Sequence, residues 1–169
     1  LAAQVTRAVK AVTTKPVYIK LSPNVTDIVA IAKACEDAGA DGISMINTLL
    51  GARFDLRTGR PIIANVMGGF SGPALLPIAV RMVWQTYQKV KIPIVGLGGI
   101  STWQDAVEML LAGATALQIG TVLFTDPYAP VKIAEGLSKF MDENGVQSLV
   151  LTDWEDLSDG KEIAGTLYV

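Results

Sequence analysis

Two short stretches end in glycine where a buried strand hands over to the next element: residues 94–102, IVGLGGIST, and residues 117–121, LQIGT. A glycine at a strand end lets a ligand approach the backbone with no Cβ in the way. A helix that follows offers free N–H groups and the positive end of its dipole. Two such ends side by side make a phosphate cradle, so Gly98, Gly99, Gly120 and Thr121 are candidate anion contacts. Glycines also serve tight strand-to-helix turns, and either stretch alone is a weak signal. Other strand ends add further candidates. The first strand end offers Lys20, Ser22 and Asn24; Lys20 stands between Ile19 and Leu21, and such a lysine either snorkels from a sheet edge or faces an anion or a charge developing on a cofactor. Asn47 and Thr48 either form a simple turn or aim an amide and a hydroxyl at a polar ring. Gly68, Gly69, Ser71 and Gly72 precede a further helical pattern.

What the chain lacks narrows the chemistry. It has no histidine, which removes the usual zinc ligand, a Ser-His-Asp triad and a histidine base. Its single cysteine, Cys35, excludes an internal disulfide and a four-cysteine cluster built from this chain alone. Cys35 sits among alanines on a predicted helix and reads as a small core residue. Asp41, Asp55, Asp105 and Glu108 read as solvated or capping charges. No metal site is expected. With 14 basic against 16 acidic residues the net charge is −2, which gives no electrostatic case for nucleic acid or an anionic membrane. The N-terminal LAAQVTRAVKAV is amphipathic rather than a signal peptide, and the longest apolar stretch is too short to span a bilayer. The expected compartment is the cytoplasm.

The elements that must position these residues follow from apolar runs and their punctuation. Strands are predicted at residues 15–22, 41–48, 92–99 and 116–121, as short continuous apolar runs suited to a parallel sheet buried on both faces. Helical patterns fill the gaps. Ile28, Ile31, Ala32 and Cys35 share one face, with Gly39 as the stop. Further helices are predicted at residues 73–90, 102–112 (with Ser101 or Thr102 as N-cap) and 126–144. The long connection 49–72 reads as a hairpin around Thr58-Gly59, either a pocket wall or a surface excursion. Strand–helix repeats at this spacing make an α/β fold. Four such units are too few for an eight-stranded barrel of about 250 residues. The chain is either a small open sheet or the C-terminal half of a barrel.

Taken together, YIKLSPNVTDIVAIAKA, ADGISMINTLLGARFDLRTGRPIIANVMGGFSGPAL, IPIVGLGGIST and AGATALQIGT resemble the C-terminal half of the dihydroorotate dehydrogenase family, in particular its class 1B catalytic subunit. The resemblance covers residues 1–150 and leaves 151–169 as a divergent, unassigned tail. It implies strands 5–8 of an FMN-dependent TIM (β/α)8 barrel, with a hairpin insertion after the second strand present. The implied reaction is the oxidation of dihydroorotate to orotate in de novo pyrimidine (UMP) biosynthesis. By this resemblance Lys20 lies against the flavin, where it can stabilise the negative charge of the reduced ring, and Ile46 packs near the flavin through its backbone. Gly72, Gly98, Gly99, Gly120 and Thr121 are implied flavin and phosphate contacts, and Asn47 and Thr48 bind the pyrimidine. The family's base in this class is a cysteine on a loop of the N-terminal half. Cys35 does not match its motif, so no catalytic base is expected among these residues. The resemblance further implies electron transfer to NAD through a partner subunit carrying FAD and an iron–sulfur cluster, in a homodimer or heterotetramer.

Two other readings are distinguishable. The pyrimidine-reducing domain of dihydropyrimidine dehydrogenase shares the opening KLSPNVTDI and the glycine-rich third strand end, whereas MINT and ARFDLRTGRPIIAN favour dihydroorotate dehydrogenase. A non-catalytic half-barrel would bind phosphate compounds without flavin redox change.

Overall fold

The computed structural model describes residues 1–146, so the tail at 151–169 lies outside the described residues. Helix α1 (Ala2–Lys10) precedes four parallel strands, β1 (Tyr18–Leu21), β2 (Gly42–Met45), β5 (Ile94–Leu97) and β6 (Ala116–Gln118). Between them run α2 (Ile28–Asp37), α3 (Leu76–Tyr87) and α4 (Trp103–Leu111), and α5 (Ala129–Asn144) follows β6. An antiparallel pair, β3 (Leu49–Ala52) and β4 (Met67–Phe70), interrupts the rhythm after β2. Its far end turns at Asp55, whose carboxylate accepts from the amides of Arg57 and Thr58, with a bridge between Phe54 and Pro61.

The parallel sheet runs β1-β2-β5-β6, so each strand lies beside the next parallel strand in the chain. The helices likewise pack in chain order, α1 on α2, α2 on α3, α3 on α4 and α4 on α5. A doubly wound sheet reverses its strand order at a switch point and places helices on both faces. Sequential order with one continuous helical layer is the arrangement of a barrel wall. The fold is therefore mixed α/β with a parallel sheet, of the kind found in TIM-barrel enzymes.

The sequence explains the local elements. Asp27 caps α2 by accepting from the Ala30 amide at 3.0 Å. Ile28, Ala32 and Cys35 lie at i, i+4 and i+7 on its buried face, while Ile31 is half-buried. Gly39, at φ +93, follows the C-terminus of α2. Thr102 caps α4 in a reciprocal capping box with Asp105. The strands are shorter than the apolar runs that predicted them, because pairing stops where the chain turns toward the next helix. Likewise the run at 73–90 begins as a 3-10 turn, Pro73–Leu75, before becoming α3, and α5 begins at Ala129 rather than 126.

The core lies between the sheet and the helices. Leu21, Ile43, Met45 and Ile94 face Ala32, Cys35, Ala79, Val83, Met109 and Leu110. Register places Lys20, Ser44, Val95 and Ala116 in one row across the sheet, on the face opposite that core. Along this second face Lys20 and Gln118 are exposed and Val95, Leu97 and Ala116 are half-buried. Among the described residues no helix is long and apolar enough to cross a membrane.

Polar ties set the frame. Glu36, near the end of α2, accepts from the amides of Lys91 and Ile92 ahead of β5. Asp41 accepts from the Lys10 ammonium at 2.7 Å and from the Val17 amide at 2.6 Å, joining α1 to the entries of β1 and β2. The Lys10 bond, then the Val17 bond, hold the Asp41 carboxyl below its ordinary value of 3.8. A carboxyl lowered on folding contributes stability above its unfolded value and loses it as pH falls through the native one. Asp41→Asn is therefore expected to lower the unfolding temperature at pH 7, and the gap to wild type should close from about pH 4 downward. Thermal melts of both proteins at pH 7 and pH 3 check this; an equal gap at both would contradict it.

Candidate functional site

The carboxyl ends of all four parallel strands open onto one cavity of about 450 Å³. That size suits a small-molecule site, which typically runs from roughly 300 to 1,000 Å³. Lys20 reaches it from β1, and Ile46, Asn47 and Thr48 from the exit of β2. Gly72 stands ahead of α3, Gly98 and Gly99 follow β5, and Gly120 and Thr121 follow β6. These nine strand-end candidates thus line the same cavity, whereas Ser22, Asn24 and the β4 glycines Gly68 and Gly69 do not. Leu75, Leu97, Ile100, Ile119 and Val122 give it apolar walls, and Ser71, Ser101 and Gln118 add polar groups.

The exit of β2 is held from both sides. The Ile46 amide donates to the Leu97 carbonyl of β5 at 2.9 Å, and the Asn47 amide donates to the Leu21 carbonyl of β1 at 2.9 Å. The Met45–Ile46 peptide is cis. Asn47 Oδ1 accepts from the Thr48 amide at 2.8 Å. With its oxygen engaged, Asn47 has its Nδ2 as the remaining donor for a ligand.

Two features differ from the sequence reading. The first is the reason for the glycines after β5. A Cβ on Gly99 would stand 2.8 Å from Leu76 Cα, and the residue adopts φ +82. The missing side chain there admits the first turn of α3 rather than a ligand. Gly98 is similarly tight, with Ala79 Cβ at 3.1 Å from where its own would be. Gly72 and Gly120 are open, with nothing within 4 Å of that position.

The second concerns the helix ends. The N-terminus of α4 is closed by its own side chains: the amides of Ser101 and Thr102 donate to Asp105 Oδ2 at 2.9 and 2.8 Å, and the Asp105 amide donates to Thr102 Oγ1. After β6 the chain enters a 3-10 turn, Thr121–Phe124, instead of an α-helix. The amides of Thr121 and Val122 open that turn and lack an intrahelical acceptor. Backbone amides without an intrahelical acceptor are thus found at the β6 exit, whereas those ahead of α4 are engaged by Asp105.

Charge is distributed sparingly. Among the described residues of the lining, Lys20 is the one basic side chain and there is no Asp, Glu, His or Cys. No carboxylate among the described residues pairs with Lys20; the ion pairs involve Lys10, Lys33, Lys132 and Lys139. The cavity therefore favours an anion and holds no ordinary general base. Cys35 is fully buried in the core. Among the described residues no three His, Cys, Asp or Glu side chains gather as a metal site would require. Sequence reasoning did not single out Gln118. Its signal is its place two residues before Gly120, on the strand face shared with Leu97.

The family model for dihydroorotate dehydrogenase matches residues 1–141. The chain belongs to the dihydroorotate dehydrogenase family. It is 51% identical over 164 residues to the protein of Geotalea uraniireducens named dihydroorotate dehydrogenase B (NAD(+)), catalytic subunit, covering 97% of this chain and 50% of that one. Proteins of the same name from Shouchella clausii and Enterococcus faecalis are 56% and 55% identical over 149 residues, 88% of this chain and 49% and 48% of theirs. The chain thus spans about half the length of the curated relatives it matches. Within this oxidoreductase family, the likeness is to the catalytic subunits of class 1B.

The glycine geometry separates two substitutions. Gly99→Ala forces a Cβ against the backbone of Leu76 at a left-handed φ, and is expected to cost roughly 3 kcal/mol, or about 10 °C in unfolding temperature. Gly120→Ala enters open space and is expected to shift the unfolding temperature by no more than about 2 °C. Differential scanning calorimetry of both variants checks the contrast.

Proposed function

We propose that these residues form the C-terminal half, strands 5–8, of an FMN-binding (β/α)8 barrel that oxidises dihydroorotate to orotate in pyrimidine biosynthesis. The observation that carries this reading is the meeting of nine candidate residues, Lys20 to Thr121, at the carboxyl ends of a sequentially ordered parallel sheet. Active sites of (β/α)8 barrels lie at that end, and phosphate sites lie after the last two strands. A second observation supports the half-barrel: the row Lys20, Ser44, Val95 and Ala116 lies on the sheet face away from the helices, where only Ser44 is buried. Parallel sheets are ordinarily covered on both faces. The remaining half of the relatives' length supplies the other four strands. The 3-10 turn, the hairpin and the cavity then belong to the mouth of the closed barrel.

The residues present suit FMN. Gly72 and Gly120 leave open room beside the backbone, the amides at the β6 exit would hold the phosphate, and Ile46, Leu97 and Ile100 would offer apolar contact to the ring. In this assignment Gly72, Gly98, Gly99, Gly120 and Thr121 hold the flavin and its phosphate. Bound FMN supplies the hydride acceptor. Lys20 places its ammonium where negative charge accumulates, an electrostatic contribution that needs no movement of the protein. Asn47 and Thr48 orient the pyrimidine by donating from an amide and a hydroxyl, so that C6 of the substrate faces the ring. The proton on C5 needs a base, and the cavity lining of this chain holds no carboxylate, histidine or cysteine. The base comes from the other half of the barrel.

The relatives are named catalytic subunits of an NAD(+)-linked enzyme. On that likeness, electrons leave this protein through a partner subunit bearing FAD and an iron–sulfur cluster and end on NAD, in the cytoplasm. The assembly is a homodimer or a heterotetramer.

Native mass spectrometry of the protein from its source tests the reading directly. The expected species is a chain about twice 169 residues long, with one FMN. A chain of this length without flavin would overturn it. In the complete flavin-loaded enzyme, Lys20→Ala is expected to slow dihydroorotate oxidation by about 10²–10³-fold while FMN stays bound. Stopped-flow flavin reduction measures it, and unchanged reduction would remove Lys20 from its assigned role.

A further inference from the structure

Asn24 has no role in the account above, yet its side chain makes three hydrogen bonds, two of them to the segment that leaves β2. It lies three residues beyond β1, in the turn that leads to α2. Its Nδ2 donates to the Thr48 carbonyl at 2.9 Å and to Ser22 Oγ at 3.1 Å. Its Oδ1 accepts from the Leu50 amide at 2.9 Å. One carboxamide therefore bonds both a carbonyl and an amide of the segment that carries Asn47 and Thr48, as a neighbouring strand would.

We propose that Asn24 is a positioning residue for the pyrimidine-binding pair Asn47–Thr48; this rests on the function proposed above. The free donor of Asn47 depends on the Thr48 backbone, because the Thr48 amide occupies Asn47 Oδ1. Asn24 holds the other end of that residue through the Thr48 carbonyl and fixes the start of β3 through Leu50. The Thr48 side chain also packs against Gly69 of β4, where a Cβ would come within 2.9 Å of Thr48 Cβ. Thr48 is thus gripped between Asn24 and the β3–β4 pair. Asn24 also follows Lys20 by four residues, so the same contact ties the strand bearing the lysine to the loop bearing the pyrimidine contacts. Both bonds are exposed to water, so their removal should disturb placement more than folding.

The test compares orotate and FMN binding in the complete enzyme for wild type, Asn24→Ala and Asn24→Asp. Orotate affinity is read from perturbation of the flavin spectrum and FMN affinity from fluorescence quenching. Asn24→Ala is expected to weaken orotate binding roughly tenfold, the loss of about one net hydrogen bond, and to raise KM for dihydroorotate to match. FMN affinity should stay within about twofold. Asn24→Asp keeps the acceptor for Leu50 but sets an oxygen against the Thr48 carbonyl. It should bind orotate no better than Asn24→Ala, and it reports the effect if the alanine variant fails to fold. In the flavin-free protein, hydrogen exchange at the Leu50 amide should accelerate in Asn24→Ala while the amides of β5 keep their protection. Unchanged orotate affinity, equal losses of orotate and FMN, or an unchanged Leu50 exchange rate would each overturn the inference. A wild type that binds neither FMN nor orotate would instead overturn the functional reading beneath it.

Discussion

Two backbone hydrogen bonds at the exit of β2 hold the centre of this site. The Ile46 amide reaches the Leu97 carbonyl on one side, and the next amide, Asn47, reaches the Leu21 carbonyl on the other. Consecutive residues are thereby tied to the two flanking strands, so the direction in which β2 ends is set by its neighbours and not by its own turn. Everything that converges on the cavity depends on this. Lys20 arrives on the strand that accepts from Asn47, and Gly98 and Gly99 follow the strand that accepts from Ile46. Parallel strands all end on the same side of the sheet, and the bonds at β2 bring those ends into register.

Acidic side chains are spent on structure away from the cavity. Asp27 and Asp105 cap helices, Asp41 and Glu36 accept from backbone amides at strand entries, and Asp126 takes the Lys132 ammonium and the Tyr128 amide. The cavity is left with Lys20, neutral donors and apolar walls. Such a lining sets one positive charge among neutral polar groups and apolar walls. Proton abstraction is the chemistry it does not provide. This division fits a chain that spans about half the length of its relatives.

The order of elements was largely legible in the chain. Apolar runs of strand length alternate with amphipathic segments, and Thr102 and Gly39 punctuate two helices as expected, whereas the Asp27 cap of α2 was not singled out. The strands themselves were overestimated: in the run 15–22, ladder pairing starts only at Tyr18, after Pro16, which has no amide to donate. The candidate residues were legible because strand-end position in a βα unit is itself a signal, and Lys20, Asn47 and Gly120 each stand at such a position. The reason for each glycine was not legible. Gly99 and Gly120 look alike in the sequence, yet one accommodates the backbone of Leu76 and the other faces open space.

By itself the sequence determined the α/β alternation, the absence of histidine chemistry and the identity of the residues at the strand ends, since all of these depend on local pattern and composition. Tertiary structure decided what those residues face. It engaged the amides ahead of α4 with Asp105 and turned the β6 exit into a 3-10 turn instead of an α-helix. It also placed Asn24 on the carbonyl of Thr48 and the amide of Leu50, 24 and 26 positions away. A hydrogen bond between such distant positions has no periodicity to betray it, and it exists only because parallel pairing sets β1 and β2 side by side.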